Sequence, residues 1–328
     1  MTTHRLRLVA VLTALAAGLV GGCATASDDA TVESLDALEP TTTTAAPATT
    51  TTVAPACDLR SFAPRPSIPP PGQMPAGSTM ARIQDRKEKK LVVGVDENTL
   101  GFAARNPDGQ LEGLEIDLVR EIARAIFGDP DAVKFRSVVT SNKVSAVESG
   151  EVDLTASVVS ITCARWQKVA FSREYYTTDQ RVMVGVDSPI QALRDLARKK
   201  VCVTKGSTTI DELHEVVPDA IPYPVSARTD CLVALQEGRV DAVATHETIL
   251  IGLHDQDPKT TRLLPESEHF GDQHYGIAVR QGNEDFVRFL NGLLEQWHAD
   301  GTLRRLYDAN LRRFGIDPPT INAVEYRP

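Results

Sequence analysis

Residues 91–128, LVVGVDENTLGFAARNPDGQLEGLEIDLVREIARAIFG, contain the two patterns that decide the fold class. Residues 91–96 form a short apolar run that ends at an aspartate, which is typical of a buried parallel strand. Apolar residues then recur at helical spacing over 114–126 and stop at Gly128, a residue type that often ends helices. A buried strand followed by an amphipathic helix predicts an α/β unit.

The same alternation continues along the rest of the chain. The further predicted elements are strands at 152–158, 199–204 and 239–245, and helices beginning near 210, over 231–238 and, as a pair around Gly301, over 286–311. This spacing predicts an α/β fold in two lobes. The sequence has no GxGxxG motif after the first strand, no Walker loop and no GxSxG motif, so it predicts no cofactor and gives little support to an enzyme.

Composition excludes two classes of protein. The chain has 328 residues, with 35 Lys and Arg against 44 Asp and Glu and a formal net charge of −9. Nucleic-acid binding depends on clustered cations, so this charge balance argues against it. Only the N-terminal segment is apolar enough to meet a bilayer, which excludes a transporter with several spans.

The N-terminus has the pattern of an export signal with a lipid anchor. Arg5 and Arg7 precede an apolar stretch at 8–20, and residues 20–23, VGGC, resemble the bacterial lipobox. We therefore predict a signal peptide over 1–22 and lipidation of Cys23, which would hold the protein on the outer face of the cytoplasmic membrane. An uncleaved signal anchor is the alternative interpretation.

The segment after Cys23 is predicted to be a disordered tether, over residues 23–80. It includes TTTTAAPATTTTVAPA, which is rich in Thr, Ala and Pro and has no apolar periodicity. A second proline-rich run at 64–75 continues the same composition. Such segments bury too little apolar surface to offset the entropy lost on ordering.

From residue 91 to about 311 the chain resembles the polar amino-acid-binding proteins of ABC importers, solute-binding protein family 3. The matching blocks are LVVGVD, GLEIDLVREIA, VESGEVDLTASVVSITCARWQKVAFS, ALQEGRVDAV, HYGIAV and LEQWHADGTLRRLYD. Together with the lipobox and the tether, the resemblance is strongest to the glutamine-binding lipoproteins of mycobacteria and their relatives.

This resemblance implies a two-lobed periplasmic-binding-protein fold of type II, with two crossing hinge strands near 181–187 and 274–280. Lobe 1 would comprise residues 81–186 and 274–328, and lobe 2 residues 187–273. A ligand would be clamped between the lobes by hinge closure.

Four cysteines remain after Cys23, and an exported protein can oxidise them in any of three pairings. Cys202 with Cys231 is the favoured pair because both fall in the same predicted lobe, which leaves Cys57 with Cys163. Free buried thiols are the alternative.

The resemblance also implies where an amino acid would bind. Arg165 matches the position of the arginine that binds the α-carboxylate, and a planar guanidinium suits a carboxylate through two parallel hydrogen bonds. Ser160 and Thr162 lie just upstream. Residues 207–209 precede a predicted helix, whose free N–H groups attract anions; the predicted contacts there are Ser207, Thr208 and Thr209.

The α-ammonium position departs from the family. The expected aspartate is replaced by His246, and Glu247 and Asp96 are candidates for the same role. Cations predicted around the side-chain pocket are Arg105, Lys143 and Arg228, with Thr140 beside them and Phe102 as a nearby aromatic. Each cation could instead be an exposed charge paired with a surface acid, but together they favour an acidic side chain.

The leading hypothesis is a non-enzymatic, monomeric receptor that delivers Glu, Asp, Asn or Gln to an ABC permease. A second hypothesis is a ligand sensor that signals through a membrane protein. A third is a dehydratase on the same fold, in which His246 and Glu247 would form an acid–base pair. Neither a metal nor a nucleic acid is expected.

Overall fold

The computed structural model describes residues 57–319, 321 and 325–327. The predicted signal peptide, Cys23 and the predicted tether up to residue 56 lie outside the described residues. Pro55–Pro328 form one compact unit. In the described part of the chain, each helix is too short or too polar to cross a bilayer.

The described part of the chain consists of strands and helices that alternate along most of its length. The strands are β1 (Leu91–Val95), β2 (Asn98–Thr99), β3 (Ala103–Arg105), β4 (Leu111–Glu112), β5 (Val133–Ser137), β6 (Leu154–Thr155), β7 (Val169–Gly185), β8 (Lys200–Thr204), β9 (Ile221–Val225), β10 (Ala242–His246), β11 (Thr261–Leu263) and β12 (Phe270–Arg280). The helices are α1 (Thr79–Gln84), α2 (Leu114–Phe127), α3 (Lys143–Glu148), α4 (Cys163–Trp166), α5 (Thr209–Val216), α6 (Thr229–Gln236), α7 (Glu247–Gln256), α8 (Glu284–Ala299) and α9 (Thr302–Asn310), with short 3₁₀ turns at Leu193–Leu196 and Arg312–Phe314.

One sheet runs through the whole unit in the order β5-β1-β6-β12-β7-β10-β8-β9, with β11 paired to β7. The strands β5, β1 and β6 are parallel to one another, and we call them the first sheet half. The strands β10, β8 and β9 are also parallel, and we call them the second sheet half. The long antiparallel pair β7 and β12 joins the two halves.

The neighbours of β7 change along its length. It pairs with β12 as far as Gln180, and from there to Gly185 it pairs with β10 and β11. The two strands therefore cross from one sheet half to the other. The predicted lobe boundaries at 186/187 and 273/274 remain a prediction.

Helix α2 shows why the sequence pattern was informative. Its apolar face is buried, including Leu118, Val119 and Ile122, and Gly128 ends it with a left-handed φ of 79°. The predicted strands at 91–96, 199–204 and 239–245 and the predicted helices are confirmed, within a few residues at their ends.

The strand predicted over 152–158 is much shorter than expected. β6 covers only Leu154–Thr155, and the chain then turns at Val158, whose φ of 42° is left-handed. Such a φ is strained for a β-branched residue. Val158 donates its N–H to Glu115 Oε1 at 2.6 Å and its carbonyl oxygen accepts from Lys143 Nζ at 3.0 Å, so side chains replace strand partners.

The predicted tether also ends earlier than residue 80. From Cys57 onward the chain packs on the folded unit, beginning with a Cys57–Cys163 disulfide. Ser61 is 3% exposed, and its Oγ accepts a 2.7 Å hydrogen bond from Asn291 Nδ2. Composition alone did not reveal these contacts, because their partners lie over 100 residues away in the sequence.

Both favoured disulfide pairings are present. Cys202 in β8 is bonded to Cys231 in α6, and Cys57 is bonded to Cys163 in α4.

Candidate functional site

The carboxyl ends of the two parallel sheet halves face one cleft. In the first half, Asp96 follows β1, Thr140 and Lys143 follow β5, and residues 157–160 follow β6. In the second half, the loops after β8 and β9 and the end of β10 supply the opposite wall. Ligands of open α/β sheets bind outside such carboxyl ends, so the cleft is the candidate site.

The two walls meet around a small buried cavity of about 10 Å³, which is space for about one water molecule. This arrangement is a closed cleft. Its lining residues are Thr140, Lys143, Val158, Arg165, Thr204, Ser207, Thr208, Arg228, Thr245, His246 and Ile249.

Arg165 is held by the loop that precedes it. Thr162 caps α4 by accepting the Arg165 N–H at 3.3 Å. The guanidinium donates from Nη1 to the Ser160 carbonyl at 2.8 Å and from Nη2 to the Gly206 carbonyl at 3.2 Å. Burial lowers the pKa of Arg165 to about 10. This value is still well above neutral pH, so the guanidinium remains charged. Among the described contacts only two of its five N–H donors are used, so three in-plane donors remain for an anion.

Arg228 crosses from the second wall to the first. It is 3% exposed, and its Nη2 lies 3.0 Å from Asp96 Oδ2 and 2.9 Å from Thr140 Oγ1. Its Nη1 donates to the Thr99 hydroxyl. Its Nε has no partner among the described residues. Arg228 therefore joins the two walls, and its Nε–H is available to a ligand.

Lys143 brings a third cation to the cavity. It is 2% exposed, and its Nζ donates to the carbonyls of Ser157 at 3.1 Å and Val158 at 3.0 Å. Burial, and then the charges of Arg165 and Arg228, hold the pKa of Lys143 well below its usual value. A bound carboxylate would oppose both effects and favour the ammonium form.

Hydroxyl groups are present on the remaining polar wall, at Ser207 and Thr208, and next to it, at Ser160 and Thr209. Ser160 Oγ and Thr208 Oγ1 both donate to Gln273 Oε1, at 2.6 and 2.9 Å. The hydroxyls of Ser207 and Thr209 are buried and have no partner among the described residues. Buried polar atoms are rarely left unpaired, so these hydroxyls are suited to a polar ligand.

His246 lies at the end of β10 and is 5% exposed. Its Nδ1 is 2.6 Å from the Tyr275 hydroxyl, and the two rings stack at 5.3 Å between centroids. Burial, and then the charges of Lys143, Arg228 and Arg165, hold the pKa of His246 well below 6.5. The ring is therefore neutral at neutral pH.

Seven predicted site residues do not line the cavity. Asp96, Ser160 and Thr162 bond to lining residues and Thr209 follows one in the sequence, whereas the other three have different partners. Arg105 has a half-exposed side chain, pairs with Glu97 at 2.7 Å and donates to the Gly109 carbonyl at 2.6 Å, so nearby residues hold its guanidinium. Phe102 is fully buried behind the cleft, edge-on to Tyr176. Glu247 pairs with Arg181, so it does not form an acid–base pair with His246.

Sequence reasoning missed Glu115, which lies under the cavity wall. It is 1% exposed, and its Oε1 accepts the Val158 N–H and the Tyr175 hydroxyl. Burial raises the pKa of Glu115. A charged residue between the buried apolar residues Leu114 and Ile116 was the available signal. Gln273 and Tyr275 had no comparable signal, because their role depends on the pairing of β12 with β7.

We predict that acid destabilises the unit partly through His246. As pH falls from 6.5 towards the lowered pKa of the folded state, the unfolded chain binds a proton that the folded chain excludes. The free energy of unfolding should therefore fall in that window, with a slope contribution approaching about 1.4 kcal/mol per pH unit. His246→Gln should lose this contribution in denaturant titrations between about pH 5 and about pH 8.

His274 provides a control of opposite sign. Glu174 raises the pKa of His274, so its stabilising contribution is full below 6.5 and is lost as pH rises through the raised pKa. His274→Gln should therefore reduce stability mainly at acid pH. Equal pH profiles for His246→Gln and the unaltered protein would contradict the prediction for His246.

Comparison with known proteins assigns the fold to a family. Residues 91–312 match the sequence profile of the bacterial extracellular solute-binding proteins, family 3. The chain belongs to this family. The type II periplasmic-binding-protein fold implied by the sequence resemblance is confirmed, with β7 and β12 as the crossing strands.

Two relatives and one solved structure are similar to this solute-binding protein. It is 31% identical over 231 residues to the ABC transporter glutamine-binding protein GlnH of Bacillus subtilis, covering 70% of this chain and 83% of the relative. It is 30% identical to the glutamate-binding protein GluB of Corynebacterium glutamicum, covering 67% and 77%. The structure of a solute receptor for L-cysteine from Neisseria gonorrhoeae aligns with a TM-score of 0.69 at 24% identity, covering 74% and 98%.

Proposed function

We propose that this solute-binding protein is a lipid-anchored, non-enzymatic receptor for acidic and amide amino acids that delivers them to an ABC importer. The observation that carries the proposal is the composition of the cavity wall. Lys143, Arg165 and Arg228 converge there, and no carboxylate is among the described lining residues. A wall of this kind matches a ligand that carries net negative charge.

The charges of the cleft predict an order of affinity among the acidic and amide amino acids. Asp96 offsets Arg228 in the closed cleft, so an excess of positive charge faces the ligand. Buried charges are costly unless they are paired. The α-carboxylate would pair with Arg165, and a second carboxylate would pair with Lys143 and the free donor of Arg228. Glutamate and aspartate should therefore bind more tightly than glutamine and asparagine.

The α-ammonium group has polar but uncharged partners available. A neutral His246 and the unpaired Ser207 hydroxyl lie on the wall, and either can contribute a hydrogen bond. This is weaker recognition of an ammonium than a carboxylate would give. Selectivity for amino acids over simple dicarboxylates should therefore be modest.

Closure links binding to delivery. Arg165 bonds to the Gly206 carbonyl, and Arg228 bonds to Asp96, Thr99 and Thr140, in each case across the cleft. The cavity between the walls has room for about one water molecule, so a bound amino acid would hold the walls further apart than in this structure. A ligand that bridges the two walls still shifts the population from an open towards a closed shape. An importer permease would then recognise that shape. No catalytic step is required, and anchoring through Cys23 rests on the lipobox-like residues 20–23.

Calorimetric titration of Pro55–Pro328 tests the proposal. The panel comprises L-Glu, L-Asp, L-Gln, L-Asn, L-Arg, L-His and glutarate, which lacks the ammonium group. We expect the acidic amino acids to bind most tightly, the amides more weakly, and arginine and histidine not at all. Glutarate should bind within about tenfold of L-Glu, about 1.4 kcal/mol. Preference for arginine, or no binding across the panel, would contradict the proposal.

A further inference from the structure

Each disulfide of the described chain ends beside an arginine of the cleft. Cys163 lies two residues before Arg165, in the same short helix α4. Cys231 lies three residues after Arg228, which is the N-cap residue of α6. The two bonds thus reach the two walls of the cleft at corresponding places.

Helix α4 needs support from outside itself. It contains four residues, and a single helical turn is not stable through its own hydrogen bonds. The disulfide joins it to Cys57, at the start of a segment that Asn291 holds through Ser61 and the Phe62 carbonyl. The backbone that carries Arg165 is therefore covalently attached to a fixed part of the unit.

The second disulfide fixes the opposite wall. Cys202 is fully buried in β8, which is paired on both sides, with β9 and β10. The N–H of its partner Cys231 donates to the Arg228 carbonyl at 3.1 Å. The first turn of α6, and with it Arg228, is therefore attached to the centre of the second sheet half.

We propose that the two disulfides act as positioning devices for the ligand-binding guanidinium groups, Cys57–Cys163 for Arg165 and Cys202–Cys231 for Arg228. The proposal rests on the proposed function, in which both arginines bind the ligand. A bidentate contact needs the guanidinium placed within about 0.5 Å. A long side chain meets that requirement only when its backbone is fixed before binding, which also reduces the entropy lost on binding.

Paired substitutions test this in a cross-over design. Cys57→Ala with Cys163→Ala, and Cys202→Ala with Cys231→Ala, should each lower the affinity of Pro55–Pro328 for L-Glu about tenfold. In an Arg165→Ala background, loss of Cys57–Cys163 should have no further effect, whereas in an Arg228→Ala background the full tenfold should persist. Loss of Cys202–Cys231 should show the reverse pattern.

The design separates positioning from general stability. A disulfide that only stabilises the fold would weaken binding equally in both arginine backgrounds, and that result would overturn the proposal. Unchanged binding in Arg165→Ala itself would instead overturn the proposed function. If a paired alanine variant does not fold, Cys57→Ser with Cys163→Ser, or Cys202→Val with Cys231→Val, removes the same single bond with side chains closer to cysteine in size, and is compared in the same two backgrounds.

Discussion

Arg165→Ala is expected to lower the affinity for L-Glu by at least about 100-fold, because two charge-assisted hydrogen bonds of about 1.5 kcal/mol or more each are lost. Titration calorimetry measures the change directly. Thermal unfolding should shift little, since the guanidinium's described partners are two backbone carbonyls at the cleft, those of Ser160 and Gly206.

Arg105→Ala is the matched control for this measurement. Arg105 is also an arginine of the first part of the chain, but its side chain is half exposed and paired with Glu97. Its substitution should leave affinity within about twofold of the starting value, as for most exposed ion pairs. A large effect at Arg105 and none at Arg165 would place the ligand elsewhere.

Arg228→Ala should have an effect of similar size for a different reason. It removes the bonds that join the two walls and leaves the carboxylate of Asp96 buried and unpaired beside an anionic ligand. Removing one partner of a buried ion pair costs about 3–5 kcal/mol. We expect affinity for L-Glu to fall by at least about 100-fold.

Asp96→Asn tests this explanation in the Arg228→Ala background. Neutralising the carboxylate removes the repulsion of the ligand, so the double variant should bind L-Glu more tightly than Arg228→Ala alone, by about tenfold. It should not regain full affinity, since the contacts across the cleft are still absent. A double variant that binds no better would show that Asp96 does not act through its charge.

The sequence was most informative where one short segment determines both structure and chemistry. Thr140 and Lys143 follow one strand and Arg228 follows another, and parallel strands bring such ends to one edge. The strands before these residues were not predicted from the sequence, so the convergence of the three side chains was predicted through the family resemblance alone. The predicted ligand contacts themselves await the titrations.

Most of the failures originate in long-range contacts; Arg105 is the exception, since its partner Glu97 lies only eight residues away. The ordered segment after Cys57 depends on Asn291, far away in the sequence. Gln273 reaches Ser160 and Thr208 only through the register of β12. None of these long-range pairings has a local pattern.

The excess of positive charge on the cavity wall also affects how readily the cleft closes without a ligand. Closing without an anion would bury Lys143, Arg165 and Arg228 against one another, at an electrostatic cost that grows as water is excluded. Under the proposed function, the closed shape should therefore be rare unless an acidic ligand is present. The importer would then engage few empty receptors, and the charge of the cleft would set that background.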